Sequence, residues 1–295
     1  MATSPLINRL IPTVAPRLPS SPQPPDQLYL DQLNNILRLY FNQIDGTLGP
    51  LAGGQGGRFL NIPYGAFQDT TTQTAPANTA QVMRFNTSDL TNGVTLGSHI
   101  ASFTASIGAA STTMTVTVAT AGSIYLGMTL TGTGVSAGTL VVSQTSGTAG
   151  GVGVYVVSIS QTVASTTITG TVQSKMVVQH PGIYNLQWSG QFVNVAAAIH
   201  EVSVWLRKDG IGPALDVVGS AGLVSVNAKH GAFNGGAIVS WNYFVELQAG
   251  EFVELWWSTP DVDTYIIQYP AGVAPVRPST ASVIATMSFV SALPA

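Results

Sequence analysis

The chain has 295 residues, 45% of them hydrophobic, but only 10 Lys+Arg and 13 Asp+Glu, for a net charge of −3. Charged residues make up 8%, against roughly 25% in an ordinary soluble domain, so a disordered polyelectrolyte is excluded and no nucleic-acid partner is expected. Cysteine is absent, which rules out disulfides and thiolate metal sites; no apolar run reaches the roughly 18 residues of a membrane span, and no membrane insertion is expected.

Residues 1–25 read as an extended anchoring arm. Pro5, Pro12, Pro16, Pro19, Pro22, Pro24 and Pro25 break any helix and replace the apolar core that a secretory signal needs. Leu6, Ile7, Leu10, Ile11 and Leu18 make the arm apolar enough to lie against another protein. Residues 26–57 read as a helical stem and a Gly-rich linker. Asp26 follows Pro24–Pro25 as an N-cap. Leu30, Leu33, Leu37, Tyr40 and Ile44 are spaced 3, 4, 3 and 4, a heptad seam. Two heptads are too short to associate alone, so the helix is either a stem within an oligomer or an amphipathic helix packed on its own domain. Gly46, Gly49, Gly53, Gly54, Gly56 and Gly57, with Pro50, make the linker.

From Arg58 the pattern has period two. Tyr184, Leu186, Trp188 and Phe192 alternate with Asn185, Gln187, Ser189 and Gln191. Val202, Val204 and Leu206 alternate likewise, as do Val239, Trp241, Tyr243, Val245 and Leu247, and Val283, Ala285, Met287 and Phe289. Turns at Lys208-Asp209-Gly210 and Gln248-Ala249-Gly250 separate such runs. The fold class expected is mainly β, an antiparallel jelly-roll sandwich built from 58–100 plus 174–295. Residues 90–174 hold no Asp, Glu, Lys or Arg. They carry an echo, Ala110-Ser111-Thr112-Thr113 recurring as Ala164-Ser165-Thr166-Thr167. Strands at both ends of this segment would bring its termini together, which an inserted domain needs. Residues 101–173 therefore read as a small β domain inserted in the sandwich.

Nothing assembles into an active site. Gly134-Val135-Ser136-Ala137-Gly138 matches a nucleophile elbow, but no helix, acid and histidine follow as that motif requires; a Gly-rich turn explains it better. Glu251 and Glu254 project to opposite faces of a strand. Asp261 and Asp263 could share a face but read as turn residues. His99, His180, His200 and His230 show no metal-ligand spacing. No catalytic residue, metal or cofactor is expected. Trp257, Asp261, Asp263, Tyr265 and Tyr269, in or beside the 258–270 loop, are surface-recognition candidates, although their aromatic rings fit a core equally well.

Several strings carry a family resemblance. Pro16-Arg17-Leu18-Pro19, Leu37-Arg38-Leu39-Tyr40-Phe41-Asn42-Gln43-Ile44-Asp45, Ile62-Pro63-Tyr64-Gly65-Ala66-Phe67-Gln68-Asp69 and Phe85-Asn86-Thr87-Ser88-Asp89 resemble tailed-bacteriophage virion structural proteins. Gly182-Ile183-Tyr184-Asn185-Leu186, Val204-Trp205-Leu206-Arg207-Lys208-Asp209-Gly210 and Leu247-Gln248-Ala249-Gly250-Glu251-Phe252-Val253-Glu254-Leu255 resemble the trimeric jelly rolls of complement-type and tumour-necrosis-factor-type domains. Residues 101–173 resemble a Thr/Gly-rich module of phage tail proteins, which implies that the core fold can do without them. The resemblance implies a homotrimeric, fibre-like virion appendage, assembled in the host cytoplasm. Residues 1–45 would bind other virion proteins of tail or capsid, and the head would contact a host glycan or protein. A trimeric capsid decoration (cement) protein and a host-polysaccharide depolymerase are the alternatives.

Overall fold

The computed structural model describes residues 16–20, 24, 26–52, 62–209, 215–273 and 275–293. Leu6, Ile7, Leu10 and Ile11 of the arm and the linker glycines 53–57 lie outside the described residues; Leu18 is exposed. The chain divides into two units, Met1–Ile62 with Ala292–Ala295, and Pro63–Ser291.

The first unit contains helix α1, Gln27–Ala52. Asp26 caps it: its Oδ1 accepts a hydrogen bond from the Tyr29 amide at 2.8 Å, and its carbonyl accepts one from the Leu30 amide, satisfying donors that the helix leaves open. The helix runs past Ile44 through Gly46, Gly49 and Pro50, which the sequence reading gives to the linker. Gly46 keeps an ordinary helical backbone with no positive φ, and a glycine inside a helix costs only about 1 kcal/mol. Pro50, which lacks an amide hydrogen, falls in the last turn.

The second unit is mainly β and consists of two antiparallel sheets with a small hairpin. One sheet has the order β11 (Gly235–Leu247), β8 (Gly182–Asn194), β16 (Val283–Ser291), β1 (Tyr64–Asp69), β3 (Thr87–Asn92), with β13 (Thr264–Ile266) also beside β8. The other has the order β10 (Gly222–Val226), β9 (His200–Lys208), β12 (Phe252–Ser258), β7 (Gly153–Val178), β4 (Val94–Ala121). Here β2 (Gln81–Val82) also pairs with β12, while β5 (Thr129–Gly132) and β6 (Val141–Gly147) pair with β7. Strands β14 (Gly272–Val273) and β15 (Val276–Arg277) form the hairpin.

Period two places the core as the sequence implies. Tyr184, Leu186, Trp188 and Phe192 of β8 are buried with Val283, Ala285 and Met287 of β16. From the facing sheet come Val202, Val204 and Leu206 of β9 and Val253, Leu255 and Trp257 of β12. Phe192 meets Trp257 edge-on across the sheets, centroids 5.8 Å apart, a favoured aromatic geometry. The sheets thus pack as a β sandwich. Trp241 is half-buried and packs closely on Gly222, where a Cβ would lie 2.2 Å from its ring.

The sandwich has distinct ends. The chain enters it at Pro63, whose carbonyl accepts the Phe289 amide, and leaves at Ser291, paired with Ile183. At the opposite end, where Asn194 pairs with Thr264, three loops are tied together. The Lys229 amide bonds the Ala196 carbonyl, and the Val195 amide bonds the Asp263 carbonyl.

Residues 101–173 grow out of this fold without a break. β4 and β7 pair from Val94↔Val178 to Val116↔Gly153, so the expected boundaries at 100/101 and 173/174 fall inside continuous strands. The two echoed strings lie in β4 and β7 but face different partners: Thr113 pairs with Val156 and Thr166 with Ala105. The apolar face of this extension joins a cluster that includes Phe103, Met114, Tyr125, Met128, Tyr155 and Ile168, and also Val82 and Trp256 from the sandwich, with Trp205 packed against it. Adjacent residues of a strand face opposite ways. Trp257 therefore fills the inter-sheet core, while Trp256 lies on the outer face of its sheet, where Tyr125 packs 6.1 Å from it.

This continuity changes what a deletion of 101–173 should do. Joining residue 100 to residue 174 through a short turn is expected to leave Trp257 buried and to expose Trp256. Tryptophan emission of the deletion protein should shift to the red by an amount that Trp256→Phe in the same background removes. An unshifted spectrum would contradict the shared core.

Candidate functional site

Strand alternation gives the sheet carrying β11, β8, β16 and β1 an outer face. Ser240, Asn242 and Phe244 of β11 stand beside Ser189, Gln187 and Asn185 of β8, and these beside Ile284, Thr286 and Ser288 of β16. Ile238, Phe244, Ile284 and Val290 are exposed there, Phe244 at 66%. Among the described residues the only charged side chain on this face of those four strands is Glu246. Asn185 Oδ1 is buried on it with no hydrogen-bond partner among the described residues, a costly state for a polar atom. An exposed patch of this kind, poor in charge and strewn with Ile, Phe and Val, is what interaction surfaces carry.

The heptad seam is also uncovered. Leu33, Leu37, Tyr40 and Ile44 are half-buried and Leu30 is exposed, and no described residue of α1 is fully buried. The side chains share a stripe, as the spacing requires, and that stripe lacks an opposing surface among the described residues of its own unit.

The recognition candidates separate. Trp257 is fully buried between the sheets, which removes it from any surface; it shares a strand face with Val253 and Leu255, whereas Trp256 shares the other with Phe252 and Glu254, so period two assigns Trp257 to the apolar face. Tyr265 is half-buried in β13, and Tyr269 is half-buried beneath the Arg277 guanidinium, 5.2 Å from its ring. Asp261 and Asp263 lie in a turn in which Asp261 Oδ1 accepts the Asp263 amide at 2.8 Å; His200 Nε2 approaches Asp261 Oδ2 at 3.9 Å. Ser136 likewise sits in a turn, its carbonyl accepting from the Thr139 hydroxyl and its amide donating to Gln161 Oε1.

Two buried polar clusters escape sequence reasoning. In the first, Glu254 Oε1 accepts from the Ser174 hydroxyl at 2.5 Å and contacts His99 Nε2 at 2.7 Å. Trp256 Nε1 lies 3.4 Å from Oε2, and Tyr125 stacks on the His99 ring at 4.2 Å. Alongside, the Arg207 guanidinium covers Trp256 at 3.7 Å and bonds Asp216. Glu254 is fully buried. Serine, histidine and glutamate meet here, but the hydroxyl is spent on the carboxylate and is not offered to the imidazole, so no nucleophile is activated. The cluster instead fastens the root of the extension to the sheet. Glu254→Ala should cost about 1–3 kcal/mol, the range for leaving buried hydrogen-bonding groups without a partner, read as a lower urea midpoint; Glu254→Gln should recover part of it by keeping an acceptor for Ser174. Equal midpoints for wild type and Glu254→Ala would contradict the clamp.

In the second cluster, Asp69 accepts from the Thr71 amide, the Thr71 hydroxyl and Gln73 Nε2. Arg84 donates to the carbonyls of Thr72 and Gly127. Burial pushes the Asp69 carboxyl above its ordinary 3.8, outweighing those hydrogen bonds and the Arg84 charge; the same burial pulls Arg84 down. A raised folded-state pKa means that the native state binds more protons across that window. Asp69's contribution to stability therefore falls as pH rises from the ordinary value through the raised one, and is constant above it. Asp69→Asn removes this titration. Its urea midpoint relative to wild type should climb as pH rises from the ordinary carboxylate value through the raised one; a pH-independent difference would contradict the assignment.

No protein-family model and no curated protein matches this chain.

Proposed function

We propose that the chain is a structural component of a bacteriophage virion, a homotrimeric appendage. Its N-terminal arm and helix attach to other virion proteins, and its β unit is the head. The observation that carries this reading is the charge-poor outer face of the sheet formed by β11, β8, β16 and β1, with exposed Ile238, Phe244, Ile284 and Val290 and, among the described residues, Glu246 as its single charge. Three copies turning such faces toward a common axis bury apolar side chains with few charges to strand, which suits closed cyclic symmetry. The uncovered seam of α1 supports the same symmetry one element earlier in the chain.

We read the sandwich as a jelly roll. Its sheets order the strands β1-β16-β8-β11 and β7-β12-β9-β10, so consecutive strands cross between sheets repeatedly, as Greek-key windings do. The chain enters and leaves at one end of the sandwich, and the tied loops lie at the other. An appendage held by its N-terminus would present those loops outward, where a host glycan or protein is met.

Mass photometry of the purified chain should give about three times the 30.6 kDa monomer mass. Phe244→Glu, which puts a charge into the proposed shared face, should shift the protein toward monomer with near-UV circular dichroism retained, since burying an unpaired charge costs several times RT. Leu33→Asp should weaken assembly and leave the head folded. A wild-type monomer at micromolar concentration would overturn the reading.

A further inference from the structure

A cleft of about 390 Å³ lies between the segment 69–86 and the sheet where β4, β7 and β5 run side by side. Its volume is in the range of small-molecule sites. The sheet wall is built by register: Ser98 pairs with Gln173 across β4 and β7, and Thr171 with Thr129 across β7 and β5. Their side chains have no hydrogen-bond partner among the described residues, so four hydroxyl or amide groups on three strands line one wall uncommitted. Arg84, Asn86, Thr71 and Phe85 complete the lining, the Phe85 amide donating to the Gln173 carbonyl at 2.9 Å. Among the described residues Asp69 and Arg84 are the charged ones lining the cleft; one is negative and one positive, so the field across it is near balance.

We propose that this cleft binds a neutral saccharide unit. Groups that both donate and accept suit a ligand with several adjacent hydroxyls, and a balanced pair of opposite charges favours an uncharged one. Leu140 at the edge offers an apolar contact to the C–H side of a sugar ring. The cleft binds without cutting. Glycoside hydrolysis needs two carboxylates flanking the bond, and Asp69, the one carboxylate in the lining, is engaged by Thr71 and Gln73. The site is formed within one chain, so this assignment and the oligomeric one stand or fall separately.

The test is saturation-transfer NMR on the full chain with neutral tetrasaccharides of glucose, galactose and N-acetylglucosamine, and with one acidic tetrasaccharide. At least one neutral probe should receive saturation. The double variant Thr171→Val/Gln173→Leu should weaken that binding at least ten-fold, with near-UV circular dichroism confirming the fold. The conservative Thr129→Val should weaken it less, and Ser225→Ala, on the far side of the sheet, should leave it unchanged. No transfer to any neutral probe, transfer confined to the acidic one, or equal transfer in the double variant would each overturn the proposal.

Discussion

A sheet has two faces, and a chain this poor in charge must find cover for nearly all of them. The adjacent pair Trp256–Trp257 states the problem in two residues: one ring enters the sandwich and the other must be hidden outside it. The solution within the chain is the extension of β4 and β7, which brings Tyr125 and its neighbours over Trp256. The other sheet has no such cover on its outer face among the described residues, and there the apolar side chains stand exposed. The difference between a sheet whose outer face is partly covered by the extension and one whose outer face has no such cover among the described residues is the asymmetry from which the proposed assembly follows.

Covering the outer face with the extension required polar groups to be buried with it. Glu254 on β12 comes under the extension because it shares a face with Trp256, and it is held by His99 and Ser174 from the two strands that form the extension's root. The pairing ties the geometry of the extension to that of the sheet of the sandwich. Asp69 and Arg84 do the same service on the other side of that root, where Arg84 reaches the Gly127 carbonyl. Both clusters use the few charges available where strand alternation alone would leave the junction loose.

Local signals in the sequence were legible because local physics produces them. Asp26 caps the helix, the Tyr184 to Phe192 alternation selects its buried face, and Gly134 to Gly138 is a turn. What was not legible depends on residues far apart. His99 and Glu254 are 155 positions apart, and no spacing rule relates them. The helix terminus was misplaced because glycine and proline only bias a backbone, and α1 tolerates both in its last turns. The extension reads as a separate domain because composition changes sharply at its borders, whereas β4 and β7 stay paired across them, with one irregularity of register at Ser174. Trp257 is a core residue although it borders the 258–270 loop: alternation puts it on the apolar face of its strand with Val253 and Leu255, and nearness to a loop does not override that pattern.

The central claim is that copies of the chain cover each other's charge-poor sheet face. Because the protein has no cysteine, a single introduced thiol reports on its own position. Thr286→Cys, in the middle of that face, and Leu223→Cys, exposed on the opposite sheet, can be labelled with a maleimide under native conditions. Labelling at 286 should be at least ten-fold slower than at 223, and the two rates should converge when Phe244→Glu is added. Equal rates in the unmodified background would contradict the claim.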